Sequence, residues 1–347
     1  GDPLYVEDVF STYLYTGTGS SNPINNGIDL SGEGGLVWGK RRNLGNSHWL
    51  INTVNGIASR LESDGIGAAT DKSTSFTAFN DDGFTVASTD NEFNNANGTY
   101  ASWTFRKAEK FFDIVNGLTS DSSGNLPQFN HNLGSTPGCV IMKATDSGSN
   151  WVVFHKGLSA SGANQYIQLN STNAATNATG FGIATDTTFE VGAGSALVPS
   201  VTYVAYLFAS DAGGFGEDED ENIIKCGSYT GGGTSQVDVS LGWEPQWLLL
   251  KRIQTSGYSW FLFDTMRGWG TGFGNQVLQP NAATAEYDFG QNTRPTADGF
   301  RTLANNGNTN LAGIDYMYIA IRRPMKTPES GTEVYTTIAR AGNNVTT

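Results

Sequence analysis

The chain is poor in the residues on which most catalytic and metal-binding proteins depend. Its 347 residues include three histidines and two cysteines. His48, His131 and His155 have no second histidine or cysteine at a metal-ligand spacing, and HExxH and CxxC patterns are absent. No metal or cofactor is therefore expected, and the three histidines read as ordinary polar or capping groups. Cys139 and Cys226 lie in apolar, strand-like segments of different repeats, GCVIMK and IIKCGSY, and are too few for a disulfide framework. They read as buried thiols acting as small hydrophobes, with an inter-domain bridge as the alternative. Charged residues are also scarce, 15%, and their balance is −13. Such a field repels phosphate backbones and anionic lipid surfaces, so nucleic acid is not expected as a partner. No apolar run approaches the roughly 18 residues of a membrane span, and no charged-then-apolar signal segment opens the chain. Membrane insertion is not expected. The start at Gly1 and the polar ending NNVTT suit a processed product or part of a longer polypeptide.

Glycine, by contrast, is abundant, at 44 residues, and aromatics reach 12%. With many Asn, Ser and Thr, this mixture suits short strands, tight turns and aromatic-filled sandwiches better than helices. Apolar stretches of four to six residues alternate with Gly, Asn, Asp, Ser and Thr clusters, which is strand-and-turn punctuation. TYLYTG and DGFTVA alternate in polarity, as half-exposed antiparallel strands do. WLLL, WVVF and WFLF are continuously apolar, which implies cover on both faces and a place in mid-sandwich or at a domain contact.

The strongest signal is internal repetition. Five anchors recur in one order three times. The first is an apolar strand ending in lysine, at Lys40, Lys143 and Lys251, with offsets of 103 and 108 residues. The second opens with tryptophan, at Trp49, Trp151 and Trp260, and the third is a Leu-containing segment around Leu61, Leu169 and Leu278. The fourth centres on Phe84, Phe189 and Phe300, and the last on Tyr100, Tyr203 and Tyr316; matched positions make core packing the default for both aromatic sets.

The predicted organisation is all-β, with three tandem antiparallel β-sandwich domains. The first spans 1–108 with an N-terminal arm, the second 109–212 and the third 223–324, followed by a C-terminal connector over 325–347. The joint RKAEK is too short to flex, which predicts end-to-end packing of the first two domains at a fixed angle. The linker 213–222 combines glycines with five consecutive carboxylates, Glu217 to Glu221, and predicts an extended, solvated strand with hinge motion.

No G-x-S-x-G elbow, Walker loop or Rossmann fingerprint occurs, and runs such as Gly231-Gly232-Gly233 read as turns. Asp81-Asp82-Gly83 and Asp298-Gly299 read as hairpin turns. The chain is expected not to be an enzyme, with no catalytic residues assigned. One loop invites a ligand: Tyr258, Arg267, Trp269 and Phe273 place aromatics on a glycine-rich segment, where they could stack on sugar rings. The alternative has Trp269 folded back onto its own domain or packed on a neighbouring subunit.

FSTYLYTGTGSSNPINNGIDLSGEGGLVWGKRR, then DGF, TYASWTFRKAEKFFD and IAIRRPMKTPESGTEVY, together resemble a repeated domain of large virion proteins of marine bacteriophages, especially cyanophages. The second repeat departs from the pattern, with Thr187-Thr188-Phe189 in place of DGF. The resemblance implies lectin-like or jelly-roll-like sandwiches and a structural, tail-fibre-like role. It implies a virion component of a fibre, spike or appendage that contacts other virion proteins and the host surface, with glycan as the ligand. By analogy it also implies a homo-oligomer, often a trimer. A capsid-decorating protein and a polysaccharide-degrading depolymerase are the alternatives. The resemblance further implies that the chain after Pro324 begins another strand or a connector.

Overall fold

A computed structural model describes residues 2–158, 165–178, 181–192, 197–270, 275–303 and 306–326. After a short helix, α1 (Val6–Val9), the chain is almost entirely antiparallel strand. The first repeat holds β1 (Phe10–Thr16), β2 (Asn22–Asn25), β3 (Gly35–Arg41), β4 (Trp49–Asn52), β5 (Leu61–Glu62), β6 (Phe76–Asn80), β7 (Gly83–Val86) and β8 (Thr99–Arg106). The second holds β9 (Phe112–Thr119), β10 (Leu126–Asn130), β11 (Cys139–Ala144), β12 (Val152–His155), β13 (Gln165–Gln168), β14 (Thr176–Asn177), β15 (Phe181–Ala184), β16 (Thr188–Val191) and β17 (Thr202–Phe208). The third holds β18 (Ile224–Thr230), β19 (Val237–Ser240), β20 (Pro245–Arg252), β21 (Phe261–Asp264), β22 (Gln276–Val277), β23 (Tyr287–Asp288), β24 (Thr293–Thr296), β25 (Gly299–Thr302) and β26 (Asp315–Arg322).

Each repeat forms the same two sheets. The large sheets run β1-β8-β3-β4-β5, β14-β13-β12-β11-β17-β9 and β18-β26-β20-β21, and the small ones β2-β7-β6, β10-β16-β15 and β19-β25-β24. Large and small sheets pack face to face around Phe84 in the first repeat and Phe300 in the third, both fully buried. The DGF turns have a steric cause. A Cβ on Gly83 would lie 2.0 Å from the Ile24 carbonyl oxygen, and one on Gly299 2.0 Å from that of Val239. Only glycine lets the two strands close there. The second repeat pairs Thr188 with Asn130 at this place and turns its hairpin through a Thr185 N–H bond to the Thr188 carbonyl.

The sandwiches do not stack end to end. The outer faces of all three large sheets meet around one central core: Leu36, Trp38, Trp103 and Phe105 from the first repeat, Ile141, Val153, Tyr206 and Phe208 from the second, and Trp247, Leu249, Leu262 and Ile319 from the third. Phe105 stands 5.7 Å from Phe208 and 5.8 Å from Trp247, joining three repeats through one ring. The result is a closed three-domain ring about a pseudo-threefold axis. It explains why β3, β11 and β20 are buried along their whole length, inner face on the small sheet and outer face on the neighbouring repeats.

The linker also differs from expectation. Residues 213–222 form a compact turn, not an extended strand, in which Gly214 N–H reaches the Glu219 carbonyl and Glu221 N–H that of Phe215. Phe215 is the anchor: it is 1% exposed and packs edge-on against Phe111, while Glu217 to Asp220 remain in solvent. Burying one large ring outweighs the repulsion of well-solvated carboxylates. The C-terminal segment lies outside the described residues beyond 326.

Register corrects two anchors. Lys40, Lys143 and Lys251 occupy the same place, but their cross-strand neighbours are His48, Trp151 and Trp260. Trp49 lies one residue further along and faces the sandwich interior, stacked 4.6 Å from Phe93. It fits because its partner is Gly39, whose Cβ would lie 2.0 Å from the indole. A one-residue step in a strand changes face, so two tryptophans that align in the text serve different cores. Likewise the counterpart of Leu61 and Leu278 is Ile167, not Leu169.

Candidate functional site

Three seams hold the ring, and their contacts repeat cyclically. The main chain crosses every seam at one equivalent place, Ala69 N–H to Thr145 O, Ala175 N–H to Ile253 O and Glu286 N–H to Arg42 O, at 2.9, 2.9 and 2.8 Å; a second main-chain bond crosses the first two seams, Ser149 N–H to Ile66 O and Gly257 N–H to Thr172 O, both at 2.9 Å. An aromatic donor crosses next. Trp151 Nε1 donates to Glu62 O at 2.7 Å, and Trp260 Nε1 to Gln168 O at 2.9 Å. At the third seam His48 stands in the tryptophan place. It accepts from Trp38 Nε1 at 3.1 Å; burial holds its pKa well below the ordinary value, with nearby Lys40 and Arg267 acting in the same sense and the Gln279 main chain across the seam opposing them.

A third set ends strands β4, β12 and β21. Asn52 donates to the Tyr206 hydroxyl at 3.0 Å, His155 Nε2 to the Tyr318 carbonyl at 2.9 Å, and Trp103 Nε1 to Asp264 Oδ2 at 3.0 Å. His155 accepts the Gly157 N–H on Nδ1, which fixes the donating tautomer; burial lowers its pKa to about 4. The lysines cap the other end of the seams. None is exposed, and their ammonium groups donate to carbonyls: Lys40 to Arg41 and Leu44, Lys143 to Ala144 and across the seam to Ile66, Lys251 to Tyr258. Burial lowers all three pKa values to about 8.

The seam between the third and first repeats, which closes the ring, carries ion pairs where the other two have small or apolar side chains. Arg42 grips Glu286 through Nε and Nη2, the latter at 2.8 Å. Arg267, fully buried, pairs with Glu286 at 3.2 Å and with Asp264 at 2.6 Å, and its guanidinium lies 5.4 Å from the Trp103 ring centre. The positions of Glu286 and Arg42 correspond to Ala175 and Ile253 at the seam between the second and third repeats. At that place a groove of about 600 Å³ opens. Leu158, Ala175 and Ile253 give it an apolar floor; Gln165, Asn177, Ser228, Thr230, Gln254 and Asp315 give it polar walls.

The sequence-predicted ligand residues are not brought together at a surface. Trp269 is 2% exposed and packs in the third sandwich core beside Phe263. Arg267 is 3% exposed and serves the closing seam. Tyr258 is half-buried, with the Arg252 guanidinium 3.9 Å over its ring. Phe273 lies outside the described residues. The glycine-rich segment reads as exposed in sequence, but the 3-10 turn Thr265–Arg267, capped by Asp264, turns the Trp269 indole inward. The groove residues carry no motif; only the register-matched comparison of Ala175 and Ile253 with Glu286 and Arg42 could have pointed to them. Cys139 and Cys226 are free, buried thiols, raised in pKa by burial. Among the described residues no cluster of three or more His, Cys, Asp or Glu side chains could hold a metal ion, and no helix is long and apolar enough to cross a membrane.

Fold and seams define a class: a single-chain, pseudo-trimeric ring of β-sandwiches with a polar inter-domain groove. The chain belongs to the family described as Domain of unknown function (DUF7483), whose model matches residues 6–324 and so runs unbroken through all three repeats. No curated protein and no solved structure matches it.

Proposed function

We propose that the chain is a non-enzymatic structural module of a bacteriophage particle, a fibre, spike or appendage component at the virion surface. Its partners are other virion proteins and, on the host side, surface glycan. The observation that carries this reading is the cyclic repetition of seam contacts. A rigid unit with threefold architecture, met within one polypeptide, suits mechanical assembly and presentation, and the buried polar groups of the seams are spent on holding the ring. The resemblance of FSTYLYTGTGS, DGF and TYASWTFRK to virion-protein repeats supplies the context. On this reading the trimer-like symmetry belongs to the chain, and a homo-oligomer would be an assembly of rings.

Immuno-electron microscopy of intact particles tests it. Label on tail fibres or spikes is the expected result; label spread over the shell would favour a capsid-decorating role. Release of reducing ends from host envelope polysaccharide by the purified protein would replace the reading with a depolymerase.

A further inference from the structure

We infer that the groove between the second and third repeats binds a neutral saccharide of two or three rings. The inference rests on the proposed host-facing role and assigns it a place. The volume, about 600 Å³, suits a small oligosaccharide. Among the described residues that line it there is no cation and one carboxylate, Asp315, and the whole chain carries −13, so phosphate, sulfate or uronate ligands are disfavoured.

The polar walls are pre-organised. Asp315 accepts from Thr230 Oγ1 and Gln254 Nε2, both at 2.6 Å, and its own N–H donates to Gln254 Oε1 at 2.7 Å. Opposite, Gln165 Nε2 donates to Asn177 Oδ1 at 2.8 Å. These bonds fix the side chains yet leave Gln165 Oε1 and Asn177 Nδ2, together with second lone pairs on Asp315, to serve ligand hydroxyls.

Main chain adds to this. The groove lies between two sheet edges, β14 and β18. On β18 the Ile224 carbonyl and the Cys226 N–H point away from β26, toward Asp211 and Ser210. By strand alternation Ser228 and Thr230 direct their main-chain groups the same way, toward the groove. Sugar hydroxyls both donate and accept, which matches such mixed walls, while Leu158, Ala175 and Ile253 offer an apolar floor for ring C–H groups. The same seam position is occupied at the ring closure by the Arg42–Glu286 ion pair, where the groove has Ala175 and Ile253.

Saturation-transfer NMR with cellobiose, maltotriose and N,N′-diacetylchitobiose, and with a sulfated heparin disaccharide as control, tests the inference. At least one neutral probe should receive saturation and the sulfated one should not. Ser228→Trp, at an exposed position, should reduce binding at least tenfold with an unchanged melting curve. Asp315→Asn should weaken it roughly tenfold through loss of a charge-assisted hydrogen bond. Ala175→Glu combined with Ile253→Arg, copying the closing seam, should abolish it. Silence of all neutral probes at millimolar concentration, binding of the sulfated probe alone, or binding undiminished in Ser228→Trp would overturn the site. Particle labelling is independent of these outcomes, so the site can fail while the appendage reading stands.

Discussion

The three seams share one geometry but not one chemistry. Between the first and second repeats, and between the second and third, a tryptophan indole and main-chain bonds cross the seam, and the residues flanking the main-chain bond common to all three seams are Ala69 with Thr145 and Ala175 with Ile253. Between the third and first repeats, Glu286 and Arg42 take these places, and Arg267 and Asp264 are buried beside them. The chain itself supplies the reason. The first two seams join domains already tethered by short connections, so each neighbour is present at high effective concentration and packing suffices. The closing seam joins residues 244 positions apart in sequence, where no short connection brings the partners together. Charges that match only across the right seam then add specificity as well as energy, because a wrong pairing would bury them unpaired.

The comparison can be broken most forcefully at Asp264. It is unexposed and accepts from Arg267 and Trp103. Asp264→Ala should cost about 3–5 kcal/mol, since it leaves a buried guanidinium with one partner fewer. The equivalent Asn52→Ala at the first seam should cost about 1–2 kcal/mol. Urea denaturation of both variants measures the gap, and equal losses would remove the special status of the closing seam. Trp260→Phe comes next. It keeps most of the packing but strands the Gln168 carbonyl, at about 1–2 kcal/mol by the same measurement.

A smaller effect is expected from Arg42 and Glu286, whose side chains are 23% and 10% exposed. A double-mutant cycle with alanine should give a coupling of about 1 kcal/mol.

The broadest and gentlest test is pH. Each buried lysine has a folded pKa of about 8 against an ordinary 10.5, so between those values the unfolded chain binds more protons and stability should rise with pH. The buried tyrosines, among them Tyr100 and Tyr316, are shifted upward by burial and reverse the trend above about 10, where the unfolded chain loses its phenolic protons first. On the acid side His155 falls from 6.5 to about 4, so stability should decline as pH drops through that window. Denaturation midpoints taken from pH 4 to 11 should trace this rise and its reversal, and Lys143→Met should flatten the alkaline rise. A profile unchanged by that substitution would mean that Lys143 is not the charged, buried group described above.

Much of the fold was legible in residue order. Continuous apolar runs such as WLLL required cover on both faces, and the recurring Lys, Phe and Tyr anchors placed strands in matching positions. Less of the site could be read. Trp49 and Trp151 looked equivalent because both open an apolar strand, yet a one-residue step sends the first into a sandwich and the second into a seam. Trp269 looked exposed among glycines, but the turn capped by Asp264 swings it inward. Gln165, Asn177 and Asp315 gave no signal at all, since polar residues near turns are ordinary in such a chain.

By itself, then, the sequence determined that this protein is all-β, that one strand order recurs three times, and that the central strands are covered on both sides. Only the tertiary structure decided what covers the second side. A buried face shows in the pattern of apolar residues, because burial is paid residue by residue along the strand. Which surface meets that face depends on the path of the whole chain in space, and it is that path which made three sandwiches into a ring and left a groove between the second and third of them.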